Sequence, residues 1–167
     1  MSGATDLGEL LKGMEPVLDE QSAFVFLTVP HDLVASSRAS VADITSHHAI
    51  ATFREAEGLT VVVPDTFFDD HVLSATGTPT PVSDALREHW RSCAKAEKPP
   101  RMSHITMRIH SSLSAVGFTA AFSRVLTDAG ISCNVFAGYY HDHIFVPVER
   151  SADAISTLTA LAAASSQ

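Results

Sequence analysis

Apolar residues recur at three- and four-residue intervals between Asp6 and Met14, where Leu7, Leu10, Leu11 and Met14 share one side. That spacing predicts a short helix, capped by Thr5 or Asp6 and stopped by Pro16. Ala23 to Val29 is a dense apolar run and reads as a strand with both faces partly buried. Residues 31–46 are rich in Ser and Ala and keep no clear period, so they read as a loop with one helical turn. Alternation returns from His48 to Ala56, with Ala49, Ala51 and Phe53 set against Ile50, Thr52 and Arg54, which predicts a second strand. Glu57-Gly58 reads as a tight turn, because glycine takes φ > 0 at little cost. Leu59 to Val63 then returns as the hairpin partner. Pro64 closes it, and Asp65 to Leu73 reads as a short helix with an acidic first turn.

Ser74 to Pro81 contains TGTPTP, a linker signal. Val82 to Ala96 is helical in pattern, with Ser83 as its cap. Arg87, Arg91 and Lys95 recur every fourth residue and share a face. That face is either a solvated stripe or a surface that docks on the acidic first half. In the last third, Ile105, Met107 and Ile109 alternate with Thr106 and Arg108 in a strand. A helix is expected from Ser111 or Ser112 through Ala129, with Gly130 at the C′ position and Phe118, Phe122, Val125, Leu126 and Ala129 on its buried face. Ile131–Ala137 and His143–Val148 pair as strands. Asp153 to Ala164 forms a last helix capped by Ser151, and residues 165–167 fray. The order β-α-β-β-α over 103–164 places the chain in the α+β class, an antiparallel sheet with helices on one face.

Composition narrows the function classes. The chain has 167 residues, of which 46% are hydrophobic and 18% charged, enough for a packed core in one domain or two small fused modules. No window approaches the ~18–20 apolar residues of a membrane span. MSGATDLGELLKG lacks the basic start and apolar run of a signal peptide. A cytoplasmic location is therefore expected. Net charge is −8, with 12 acids and 3 bases in residues 1–75 against 7 acids and 8 bases in 76–167. An acidic chain without a basic stripe argues against nucleic acid or an anionic membrane as partner. Cys93 and Cys133 form no zinc or redox spacing and are expected as free thiols.

The stretch AGYYHDHIFVP, residues 137–147, concentrates candidate chemistry. His141 and His143 are two apart, so strand geometry would point both rings to one side. Such a pair ligates a metal only with a third ligand, for which His104 and His110 are the candidates. A catalytic His–Asp pair lacks a nucleophile, since no G-x-S-x-G elbow, phosphate loop or HExxH is present. The plain alternative is a polar hairpin in which Asp142 bonds its own backbone, with Tyr139, His141, Asp142 and His143 free to meet a ligand. No cofactor, metal or catalytic residue is assigned.

FREAEGLT at 53–60, SSLSAVGFTAAFSRVLTDAGISCNV at 111–135 and AGYYHDHIFVPV at 137–148 resemble the tandem ACT-domain proteins. The resemblance covers 103–160 and 48–64 well and is absent over 74–100. It implies two ferredoxin-like βαββαβ modules, at 1–73 and 103–164, with residues 74–102 as a linker carrying one helix. Modules of this kind pair side by side, bind amino acids and regulate enzymes. The animal cytosolic arginine sensors carry similar modules. The resemblance implies a ligand site on the loop from the first strand into the first helix and on the second strand, here Ser111, Ser112, Leu113, Ser114, Val116, Gly117 and Asn134. A helix N-terminus suits a carboxylate, the serines add hydroxyls, and Gly117 either admits a ligand or serves packing. In aspartate kinases, which ISCNV resembles, an asparagine on this strand contacts the effector. Asn134 stands in the matching place, with a hydrogen bond to a nearby loop as its plain alternative. Glu55 and Glu57 would meet an amino group or form a charged rim, and facing modules would join this hairpin and the 111–117 loop into one pocket. Six strands are found instead of eight. The modules therefore share strands, or 23–29 completes the second sheet, or a partner chain contributes, and a homodimer is expected. The reading is a non-catalytic amino-acid-binding regulatory or sensing module, with an enzyme as possible regulated partner. The alternatives are an assembly module without ligand and a metal-dependent enzyme using His141 and His143.

Overall fold

The computed structural model describes residues 3–74 and 81–166. Residues 75–80 of the expected linker, and Gln167 of the expected frayed end, lie outside the described residues. The chain forms two compact units: a central one, Ser22–Arg101, and a terminal one that joins the N-terminal stretch through Gln21 to Met102 and beyond. Residues 3–21 therefore pack with the C-terminal part rather than with 22–73, and the helix of the expected 74–102 linker belongs to the central unit.

In the terminal unit, α1 (Leu7–Gly13) opens with the Asp6 carboxylate accepting from Glu9 N at 2.9 Å. Pro16 ends this helix and also starts β1 (Pro16–Pro30), which is longer than the 23–29 run suggested. The unit's sheet has the neighbour order β1-β4-β6-β5, and residues 16–21 are the part of β1 that falls in this unit. Here β4 is Met102–Met107, β5 is Asn134–Ala137 and β6 is Asp142–Pro147. Strand β6 runs antiparallel to β4, from Met102 opposite Pro147 to Met107 opposite Asp142, and antiparallel to β5, from Asn134 opposite Phe145 to Ala137 opposite Asp142. The strand missing from the second module thus comes from residues 16–21, not 23–29. One side of the sheet carries Ile105, Met107, Ile144 and Val146 into a core with Phe122, Leu126 and Leu158. The last two belong to α6 (Phe118–Asp128) and α7 (Ser151–Ala164) respectively, and Phe122 also lies on α6.

Three local expectations are corrected in this unit. Helix α6 begins at Phe118 with Gly117 as its cap, so neither Ser111 nor Ser112 caps it. Strand β5 starts only at Asn134, and Ile131 reaches the core from the loop before it. Ser151 sits inside the first turn of α7 and its Oγ donates to Val148 O at 2.9 Å, while Arg150 holds the cap position.

In the central unit, β3 (Gly58–Pro64) lies between β2 (Ala51–Arg54) and the second half of β1, all antiparallel. The expected loop at 31–46 is helical instead: α2 (His31–Ser36), α3 (Arg38–Asp43) and a π-type turn over Ile44–His48. Leu33, Val34, Val41 and Ile44 pack on the core of Val61 and Val63, and this burial overrides the weak local pattern. These helices lie between β1 and β2 in the chain. Helix α4 (Asp65–Phe68) runs into a π-type turn, Asp69–Leu73, and Arg101 pairs with Asp65 and Asp69 across its start.

Helix α5 (Asp84–Ala96) is capped by Ser83, which accepts from Leu86 N at 3.3 Å and donates to Ser37 Oγ at 2.7 Å. Its arginines are not a solvated stripe. Arg87 donates to His71 O at 3.2 Å and Val82 O at 3.0 Å, and Arg91 donates to Val72 O and to Ser74 O at 2.8 Å. Three of these carbonyls, those of His71, Val72 and Ser74, lie at the end of the 65–73 helical segment, where carbonyls lack intrahelical partners. Arg87 also pairs with Asp84 on the same helix. Trp90, from the same helix, is buried and donates through Nε1 to Thr28 O at 2.7 Å.

Candidate functional site

The terminal unit builds its polar centre where the loop after β4 meets the turn before β6. Met107 O accepts from Ile109 N at 2.8 Å, which ends the ladder and turns the chain into the 108–117 loop. Ser111 then donates to Asp142 Oδ2 at 2.9 Å, with Ser111 only 7% and Asp142 only 6% exposed. Asp142 is therefore not a turn residue bonding its own backbone. It opens β6 and uses its carboxylate to hold the loop. His141 lies against Ile109 O at 3.2 Å, so its Nδ1 carries the proton and donates. The N-terminal segment joins from the other side: Ala4 N donates to His110 O and Ser112 N donates to Ala4 O, each at 2.9 Å. A side chain at Gly3 would run within 2.7 Å of backbone atoms of residues 110–112. Nothing periodic in the sequence around Ala4 signals this pairing, so sequence reasoning missed it.

The rest of the loop faces solvent. Leu113 is 68% and Val116 84% exposed, and Ser114 is exposed with its N–H bonded to Ser112 Oγ at 3.2 Å. Gly117 adopts φ +95°, a left-handed conformation that L side chains rarely take, and a Cβ there would sit 3.2 Å from Leu7. Its first service is thus conformational, and its neighbour is a side chain of α1. No side chain caps α6. Asn134 is exposed at the start of β5, so burial does not demand partners for its amide. Tyr139 and Tyr140 are exposed edge-to-face rings, and Tyr140 also rests on His110 at 5.3 Å.

His143 does not join His141 in a metal site. Its Nδ1 lies 3.0 Å from His104 Nε2 and 3.2 Å from Thr106 Oγ1, on the side of the sheet away from Ile105 and Ile144. The His104 ring stacks on His143, at 5.2 Å, and on Phe145, at 5.1 Å. His110, the other candidate third ligand, is engaged with Tyr140. Among the described residues no three His, Cys, Asp or Glu side chains converge to hold a metal ion. The HxH metal site is therefore not formed by these residues.

Burial lowers the pKa of both stacked imidazoles, and the neighbouring imidazole lowers that of His104 further, while Asp19 at 4.0 Å opposes it. Folding thus keeps both rings neutral at pH values where free histidine, with its ordinary value of 6.5, protonates. The unfolded chain then binds more protons than the folded one. The neutral pair's contribution is complete above the ordinary value and is lost as pH falls through the lower folded values. Thermal melts from pH 7.5 down to pH 5 should show the midpoint falling on the acid side. His104→Phe should flatten that fall, and an unchanged slope in the variant would remove this pair as its cause.

Glu55 and Glu57 lie in the central unit, at the β2–β3 turn, whereas Ser111 to Gly117 lie in the terminal unit. The Glu55 carboxylate accepts from Thr60 Oγ1 across the hairpin, and Glu55 N bonds Gly58 O at 2.8 Å. Glu57 is exposed at the tip.

Comparison with known proteins adds family context. Residues 2–78 match one ACT domain model and residues 102–160 match another. A Vibrio cholerae protein of unknown function, described as a possible transport protein, is 36% identical over 93% of this chain and 95% of its own, with a TM-score of 0.59. The aspartokinase alpha and beta subunits share 13% identity over 87% of this chain and 95% of theirs, at TM-score 0.57. The ligand-free regulatory subunit of aspartate kinase from Thermus thermophilus shares 10% over 90% of this chain and 99% of its own, at TM-score 0.55. The last two share the fold. No curated protein matches the chain.

Proposed function

The chain is a tandem ACT-domain protein, and from that premise we propose that its terminal unit binds an amino-acid-like small molecule and acts as a regulatory or sensing module without catalysis. The observation that carries this reading is the buried Ser111–Asp142 hydrogen bond. It ties the 110–117 loop to the sheet, so that loop hydroxyls and the uncapped start of α6 are presented from a fixed base. An α-carboxylate suits the free N–H groups and positive end of a helix. Ser112 and Ser114 add hydroxyl groups, and Asn134 supplies an amide at the edge of the same sheet. Tyr139 and Tyr140 offer exposed ring surface beside His110. The regulated partner is an enzyme. The setting is cytoplasmic, which accords with the free thiols of Cys93 and Cys133; burial pushes the latter up to about 11 and leaves it inert.

A thermal-shift screen of the intact protein against the twenty amino acids, with divalent metals as a second panel, tests this. A ligand at about 100 times its Kd stabilises by ~2.7 kcal/mol, a shift of several degrees. One amino acid is expected to give that shift. Ser111→Ala and Asn134→Ala should each weaken its binding about tenfold in calorimetry. A flat amino-acid panel would sink the reading.

A second reading, assembly, draws on β5. It is the outer strand of the terminal unit's sheet, and its Asn134, Val135 and Ala137 are exposed. An open strand edge invites pairing with another chain. A homodimer is expected by light scattering, and a monomer at all concentrations would remove this reading.

A further inference from the structure

The central unit contains a second candidate site that the terminal-unit reading does not use. Between β1 and the C-terminal half of α5 lies a cavity of about 310 Å³. Its walls include the rings of Phe26, Phe68, Trp90 and Pro99. Trp90 is held in place by its bond to Thr28 O, so the aromatic wall is fixed before any ligand arrives. Small-molecule sites run from about 300 to 1,000 Å³, with apolar and aromatic walls and a few polar groups. This one is at the small end, the size for a single amino-acid-like molecule.

The polar groups decide the ligand's chemistry. Glu97 and Lys98 both line the cavity and are otherwise solvent-exposed. Neither side chain has a hydrogen-bond or ion-pair partner among the described residues. Glu97 is also the C-cap of α5, where the helix presents its negative end. An ammonium group is favoured beside Glu97 and the helix end, a carboxylate beside Lys98, and an apolar body against the rings. We infer that this cavity binds a zwitterion with an apolar side chain, an α-amino acid of the leucine or phenylalanine type. The 82–100 segment, which lies where the sequence resemblance lapses, thereby becomes the wall and rim of a binding site.

The chain has one tryptophan, so Trp90 fluorescence reports directly on this cavity. The intact protein is titrated with L-phenylalanine and L-leucine, and with phenethylamine and 3-phenylpropionate, which lack the carboxylate and the ammonium respectively. A saturable change with the amino acids, and binding about tenfold weaker for each analogue, is expected. Lys98→Ala should erase the preference over phenethylamine, and Glu97→Gln the preference over 3-phenylpropionate. Both positions are exposed, so both variants should fold. Cys93 lines the same cavity, and bound ligand should slow its reaction with a thiol reagent. No saturable change with any of the four compounds overturns the inference. So does equal binding of the analogues, or a fluorescence change that leaves Cys93 equally reactive. Loss of terminal-unit binding in Ser111→Ala and loss of the Trp90 response in Lys98→Ala are separate results, so either reading fails alone.

Discussion

Trp90→Ala should be the most damaging single substitution, costing about 3–5 kcal/mol of stability and lowering the melting midpoint by about 10 °C or more. The ring is 1% exposed and lies in the central unit's core with Leu86 and Val29. Its loss removes apolar burial and leaves a void, and the rigid neighbours cannot fully close it. It also strips Thr28 O of its donor. Within this unit β1 is an outer strand, since the order is β2-β3-β1. The indole therefore serves a carbonyl on a strand with one hydrogen-bonded neighbour in the unit. Trp90→Phe separates the two contributions. It keeps most of the burial and loses the hydrogen bond, for a cost of about 1–3 kcal/mol. A urea titration of both variants checks the order. If the alanine variant melted like the parent, α5 would not be docked as described.

Gly58→Ala follows, at roughly 2–4 kcal/mol. Gly58 begins β3 opposite Pro30 of β1. A Cβ there would run into the Val29 carbonyl oxygen and reach 3.0 Å from the Pro30 Cα. Both obstacles are backbone atoms of a paired strand, so neither can swing aside as a side-chain tip would. Relief requires the strands to part at the end of their ladder. Glu57→Ala is the natural control, because its side chain is exposed at the same turn and surface changes stay within about 0.5 kcal/mol. Equal denaturation midpoints for the two variants would show that the close approach of β1 and β3 is not held.

These two positions mark what the sequence made legible and what it did not. Gly58 was readable as a special glycine, though only one of its two causes was visible. The expected positive φ at the turn is present, at +159°, and the structure adds a demand for room against a neighbouring strand. The helix bearing Trp90 was readable from its Ser83 cap and its spacing. That Arg87 and Arg91 would feed carbonyls of residues 71–74 was not, because a four-residue period identifies a face and leaves its partner unnamed. Residues 31–46 were read as a loop since Ser and Ala diluted their pattern, and only the long-range contact with Val61 and Val63 makes them helical. The opposite error occurred at 111–117. These residues were expected to open the helix that runs through Ala129, but Leu113 and Val116 are solvent-exposed on a loop tied to Asp142 and Ala4, distant in sequence. The candidate site suffered most from this, because its geometry is set by pairs such as Ser111–Asp142 and His104–His143 that no local period encodes.

The path of β1 has a consequence for how the chain is made. Synthesis delivers the N-terminus first, at about 5–20 residues per second. Residues 16–21 emerge early, but the strand they join, β4, begins at Met102. All of the segment from Ser22 to Arg101 is translated in between, and it is continuous, so the central unit has every residue it needs before its sister does. The terminal unit must wait, and then close a loop the length of that whole segment at an entropic cost that grows only logarithmically. During the wait, β1 carries an unpaired strand end on a nascent chain. Asp19, Glu20 and Gln21 sit there, polar residues of the sort that keep a naked strand edge from recruiting strangers.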